Sequence, residues 1–258
     1  MIDIKKILII SRFTLMEILK SKILYNILFL GLGLVVITFV AHQFTYGAPQ
    51  RVAIDFGLGA LSLSSIAIAI FFGANLLKKE IESRTIYMII SRPVSRVEFI
   101  LGKLLGLIGV LTMNISILAS LSLLVYFISG GNFDSLIGWQ IFFIFLEAIV
   151  VLLVITLLSL LTNQVLSILF TIFLYISGYA IHEVSSLSFV LNRVWLQKAI
   201  NLYDFVLPGF YRFNLKDHIL YESNIGGANL AATLSYSFVY SLALLLIIAY
   251  LFKRKSLD

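Results

Sequence analysis

Polar and charged residues in this chain fall in short clusters separated by long apolar runs. Stretches with almost no charge occupy residues 23–41, 56–77, 104–128, 138–162, 165–181 and 230–252. A helix needs about 20 apolar residues, at ~1.5 Å of rise each, to cross the hydrocarbon core. The pattern therefore predicts six membrane spans. The third span is defined by the residues ahead of its apolar run. Ser95 and Glu98 have capping-box spacing, and Val94 with Phe99 has that of a hydrophobic staple. Pro93 disfavours helix at the residue before it. The span is therefore set at 99–128, with a sharp start. The predicted fold class is an all-α integral membrane protein with six transmembrane helices.

Three segments between the runs carry more pattern than a connector needs. In residues 1–22, Ile4, Ile7, Leu8, Ser11, Leu15, Ile18 and Leu19 recur at helical spacing, and Ile9, Ile10, Phe13 and Met16 widen the apolar side. Such a helix lies in the plane of the interface. The alternative is a simple extension of span one. A 22-residue lead is too long for the charged start of a signal peptide, so 23–41 is expected to be a retained anchor. Residues 78–98 combine a charge cluster, the apolar positions Ile86, Met88, Ile89 and Ile90, and the capped corner. Residues 182–228 place Leu187, Leu191, Val194, Trp195, Leu202 and Phe205 on one helical face before Pro208 and Gly209 break the chain. Helices on, or dipping into, the outer leaflet are expected there, or else an ordered loop. Short turns are expected at 130–132 and near Asn163 and Gln164.

Composition strengthens the membrane reading. Of 258 residues, 60% are hydrophobic and 12% charged, against about half and a quarter in soluble domains. Mean hydropathy is +1.05. With the N-terminus inside, fourteen Lys and Arg residues fall on the inner side and five on the outer. The positive-inside rule then places both termini in the cytoplasm. The inner face carries a net charge of +8, which an anionic leaflet attracts. With no basic patch on a sizeable soluble surface, nucleic acid is not an expected partner; membrane lipid is.

Candidate chemistry is sparse. There is no cysteine, so disulfides, thiol catalysis and Cys-ligated metals are excluded. No phosphate-cradling Gly-rich loop ending in Lys-Ser or Lys-Thr exists. The three histidines, His42, His182 and His218, lack metal-ligand spacing, and no metal site is expected. Glu147 is the one acid inside a predicted span. It sits about 13 Å into its helix at 1.5 Å per residue. A charge at that depth costs roughly 2.5–3.5 kcal/mol on insertion scales. Asn114 is expected at a similar depth, and Gln140, seven residues before Glu147, shares its face. These three residues either line a substrate path, or Glu147 is simply protonated and hydrogen-bonded to Asn114 or a neighbouring helix.

The loop reads Lys79-Glu80-Ile81-Glu82-Ser83-Arg84-Thr85-Ile86, then Ser91-Arg92-Pro93-Val94-Ser95-Arg96, then Gly102-Lys103. It resembles the segment after the second span of ABC-2-type transporter permeases. Leu207-Pro208-Gly209-Phe210-Tyr211-Arg212-Phe213-Asn214 resembles the segment before the last span in the subgroup of multi-copper-enzyme-maturation permeases, with Gly209 where that subgroup often has Asn.

The resemblance implies a permease that pairs with a second permease chain, as a homo- or heterodimer, and sits on two copies of a cytosolic ATPase. ATP and Mg would be bound by that ATPase and no cofactor by this chain. The N-terminal helix would match the family's connecting helix, and 78–98 its cytoplasmic coupling helix. Glu80, Glu82, Arg84, Arg92 and Arg96 would dock by charge, with Ile86 and Ile89 as apolar anchors and Thr85 and Pro93 in the same segment. The implied activity is export, and the expected location is a prokaryotic cytoplasmic membrane. Two other classes stay open: a non-transporting scaffold for extracytoplasmic protein maturation, and a membrane-embedded enzyme.

Overall fold

The computed structural model describes residues 3–21, 25, 29, 31–33, 36, 37, 39, 40, 49–76, 94–132, 134–220 and 227–254. Most of the predicted first span lies outside the described residues. So do residues 77–93, which hold Glu80, Glu82, Arg84, Thr85, Ile86, Ile89, Arg92 and Pro93. The described chain is helical and contains no strand. Its helices are α1 (Ile4–Leu19), α2 (Pro49–Asn75), α3 (Arg96–Ile128), α4 (Ser135–Leu161), α5 (Gln164–Ser185), the short α6 (Ser188–Leu191), α7 (Val194–Val206), the 3-10 turn Phe210–Phe213, α8 (Lys216–Leu220) and α9 (Gly227–Arg254). Five of them, α2, α3, α4, α5 and α9, are long and apolar enough to cross a membrane. The remaining predicted span, the first (23–41), is described at fewer than half of its positions; Gly31, one of these, abuts Leu118 of α3.

Local sequence explains the helix ends. Asp3, Ser95, Asp134 and Asn163 each accept a backbone N–H of the first turn they precede. Gly130 turns the chain after α3 with φ of 85°. Thr162 and Asn163 alone separate α4 from α5. The helices start earlier than the apolar runs. For α2 the reason is Asp55, which interrupts the hydrophobic pattern but remains helical and finds a partner.

Helix α4 is as deeply buried as α2 and packs against α2, α3, α5 and α9. The larger core joins Ile68, Leu107, Phe143, Val151 and Phe252 from four helices with Phe210 and Phe213 from the 3-10 turn. A smaller one joins Leu58, Leu118 and Ile144 toward the other end. Residues 57 and 64 of α2 meet 122 and 114 of α3, so those helices are antiparallel. The starts of α1 and α3, the ends of α2 and α9, and the α4–α5 turn share one end of the bundle, called here the basic end.

Helix α1 runs parallel to the first half of α3. The contact is backbone-close because Gly102, Gly106 and Gly109 face it, the small-residue spacing that lets helices approach in lipid. A Cβ on Gly106 would come within 2.6 Å of Thr14 Cβ and 2.8 Å of the Ser11 carbonyl. Ile7, Thr14 and Ile18 are buried on this side, while Ile4, Leu8, Ile9 and Phe13 point outward. Helix α1 therefore has two apolar faces, one for α3 and one facing away from the protein. Gly106→Val should push α1 off α3 and cost about 1–3 kcal/mol, as over-packing does. A lower unfolding temperature in detergent, with faster amide exchange across α1, is the expected reading.

Candidate functional site

Glu147 lies near the middle of α4 and is 1% exposed. At ~1.5 Å per residue it is about 20 Å from either end of that helix. Its Oε1 accepts the Tyr179 hydroxyl at 2.5 Å. The Tyr175 hydroxyl, one turn away on α5, interacts with both Glu147 and Ser62 of α2. The two phenol rings meet edge to face at 5.2 Å. Spacing of i, i+4 puts them on one side of α5, and a phenol in an apolar bundle needs such a partner. Among the described residues no cation lies within salt-bridge distance of Glu147. Lys216, which faces the same space, is held by the Asp55 carboxylate at 3.0 Å and its carbonyl at 3.1 Å.

These groups surround a cavity of about 550 Å³. Helix α2 contributes Gly59, Ser62, Ile66 and Ala67, α4 contributes Gln140 and Glu147, α5 contributes Tyr175 and Tyr179, and Asn214 and Lys216 close one end. Leu63, Phe71 and Ile176 are exposed at its rim, so it opens sideways between α2 and α5. A second cavity, of about 750 Å³, continues toward the far end past His182, Arg212, His218 and Asn229. Ile176, Tyr179 and Asn214 belong to the walls of both.

The segment after α7 builds the end wall. Phe210 and Phe213 are buried in the core. The backbone between helices is non-helical there, and side chains from the spans satisfy it. Gly209 N donates to the Tyr236 hydroxyl at 2.9 Å and Leu215 N to Gln140 Oε1 at 2.5 Å. Gly178 of α5 leaves room for the Pro208 carbonyl and Phe210. Arg212 pairs with Asp204 of α7 at 2.5 Å and stacks between Tyr211 and Tyr236. Burial raises the Tyr211 phenol above its usual pKa, which keeps it a donor to Asp204. Residues 207–216 thus dip into the bundle, while α7 holds Trp195, Leu202 and Phe205 exposed on its surface.

Of the three residues expected in a polar path, the structure brings Gln140 and Glu147 to one cavity. Asn114 is elsewhere: it accepts from Ser64 at 3.2 Å and donates to Ser65 at 3.4 Å, both on α2. Ser62, Tyr175, Tyr179 and Lys216 were not singled out by sequence, and Asn214 entered only as the last residue of the 207–214 resemblance. The available signal was the pair of tyrosines four apart in an apolar span.

At the basic end, the last residues of the loop are described. Ser95 accepts from Glu98 N, and the Glu98 carboxylate returns to Ser95 N at 2.8 Å, completing the capping box. Its other oxygen accepts Asp3 N at 2.7 Å, so one side chain joins the starts of α1 and α3. Arg96 reaches the Lys253 carbonyl at the end of α9.

The family described as ABC-2 family transporter protein matches residues 14–178, well over half of the 258-residue chain. The chain belongs to this family. It is thus a membrane component of an ATP-binding-cassette transporter, of the kind that lacks its own nucleotide-binding domain. No curated protein matches it. The ABC-2 match covers α2–α4 and most of α5, including Glu98, Glu147 and Tyr175. It stops before 207–214, the segment that resembles the multi-copper-enzyme-maturation subgroup.

Two outcomes follow for this ABC-2 protein. Phe210→Ala should cost about 3–5 kcal/mol, as for other buried phenylalanines, and loosen the end wall. Because the chain has no cysteine, the loosening can be read as faster maleimide labelling of Asn214→Cys. Glu98→Ala removes both the capping box and the tie to α1, and amide exchange should quicken in the first turns of α1 and α3 together.

Proposed function

We propose that this chain is the permease subunit of an exporter driven by separate cytosolic ATPase subunits, and that the Glu147 cavity lies on its path. The family match carries the reading. The cavity supports it: a mainly apolar space at mid-bundle that holds Glu147, Gln140 and Lys216, opens sideways and continues toward the far end is what a path across a bilayer requires. The basic end would face the cytoplasm of a prokaryotic cell, with both termini there. A second permease chain would complete the dimer, and two ATPase copies would bind ATP and Mg.

The 78–98 loop supplies the contact for the ATPase. Lipid headgroups alone would account for Arg84, Arg92 and Arg96, but not for Glu80, Glu82 and the capped corner at Ser95. A corner with little slack passes on movement better than a flexible connector does. The Glu98 bond to Asp3 N extends that rigidity to α1.

Purification of the tagged chain in mild detergent should bring down an ATPase carrying a phosphate-binding loop. Glu82→Lys combined with Arg92→Glu should reduce the recovered ATPase at least tenfold. Recovery of the same amount with the double variant would sink the choice of docking charges. Absence of any ATPase, under conditions that preserve the permease dimer, would favour the scaffold instead.

A further inference from the structure

We infer that the Glu147 cavity binds an organic cation with a large apolar body, and that Glu147 is the counter-charge that selects it. The inference rests on the permease reading and names the class of molecule carried. Three observations lead to it. The first is the state of the carboxyl group. Glu147 is buried at mid-bundle, lines the cavity, and is met only by hydroxyls among the described residues. Phenols cover its oxygens but bring no positive charge, and Lys216, which acts on it from the same cavity, is held by Asp55. A charged acid in hydrocarbon is costly, and such residues face paths or cavities.

The second observation concerns the other charges at the cavity. Lys216 and Asp55 neutralise each other at 3.0 Å. An anion could use Lys216 only by breaking that bond, whereas a cation finds Glu147 already placed. Tyr175 and Tyr179 add aromatic faces, which attract cations in a desolvated site.

The third is the shape of the opening. The rim at Leu63, Phe71 and Ile176 is apolar and exposed, and the walls beyond are mostly aliphatic. A strongly hydrated inorganic cation gains nothing from such a rim. A ligand with an apolar body crosses it readily and fills a space of about 550 Å³, within the usual range of small-molecule sites.

Tetraphenylphosphonium and tetraphenylborate test this directly, because they share a shape and differ in sign. Binding is measured by equilibrium dialysis on the purified full chain in nanodiscs, with empty nanodiscs subtracted. Wild type should bind the phosphonium saturably and at least tenfold more tightly than the borate. Glu147→Gln keeps the size of the side chain and an acceptor for Tyr179; it should weaken the phosphonium at least tenfold and leave the borate unweakened. Ala67→Trp, which fills the cavity from α2 without touching Glu147, should abolish saturable phosphonium binding. Equal binding of the two ions by wild type, or phosphonium affinity within twofold of wild type in either folded variant, overturns the inference. If Glu147→Gln fails to fold, Ala67→Trp decides. ATPase recovery is read on the same wild-type preparation. A chain that recruits an ATPase but binds no phosphonium loses the cation site and keeps the permease reading. One that binds the phosphonium through Glu147 but recruits no ATPase keeps the site and loses the permease.

Discussion

Hydrocarbon offers no hydrogen bonds, so each polar group inside this bundle must be met by another part of the protein. The long helices meet the requirement by themselves. The stretch from Leu207 to Lys216 does not, because much of its backbone is irregular. It can sit between the spans only because Gln140 takes the Leu215 amide, Tyr236 takes the Gly209 amide, and Gly178 leaves space for the Pro208 carbonyl. Those contacts carry Asn214 and Lys216 to the cavity wall. Without the Gln140 bond, the end of the site would lose both its anchor and its shape.

The same requirement sorts the buried polar residues into two kinds. Ser65, Thr156 and Thr171 bond back to carbonyls of their own helices, and Asn114 is answered by Ser64 and Ser65. These are closed arrangements of neutral groups, and neutral donors and acceptors are enough for them. Glu147 is different in kind. Its hydroxyl partners satisfy its geometry but not its charge. A glutamine would accept the Tyr179 bond equally well at lower cost. A bound cation, as proposed, would give that carboxyl group a partner from outside the protein, which the closed neutral arrangements do not call for.

The legible and illegible parts of the fold divide along the range of the interactions. The capping box at Ser95 and Glu98 is contained in four residues, and sequence places it correctly. The apolar runs identify α2–α5 and α9, but underestimate their lengths where Asp55 or Glu183 continues the helix. The depth of Glu147 follows from counting. Its partners do not, because depth fixes one coordinate and leaves the direction around the helix open. Asn114 and Glu147 lie at similar depths, yet the serines of α2 take Asn114 while α5 supplies the phenols. Tyr175 and Tyr179 were hidden because tyrosine reads as apolar in a span. Pro208 and Gly209 announce a break, but the aromatic run after them would look the same on a leaflet or inside a bundle. Only the packing of Phe210 against Tyr175 separates the two.

The helices are not held equally, and this bears on how movement at the basic end could reach the cavity. Helices α1 and α3 meet through glycines, with almost no side-chain slack, and Glu98 ties their starts together. They resist relative movement, because interdigitated backbones cannot slide without opening voids. Helix α5 has few buried residues, and its turn from α4 is two residues long. A shift of α5 about that turn costs little buried surface compared with a shift of α3. Its ties inward include the Tyr179 bond to Glu147, the Gln164 bond to Asn75 of α2, and Gly178 against Pro208. Moving α5 outward would break the Tyr179 bond, widen the wall shared by the two cavities, and leave Glu147 with one phenol fewer. On the proposed reading, occupancy of the cavity and the position of α5 would be coupled through a single carboxyl group, with no separate switch required.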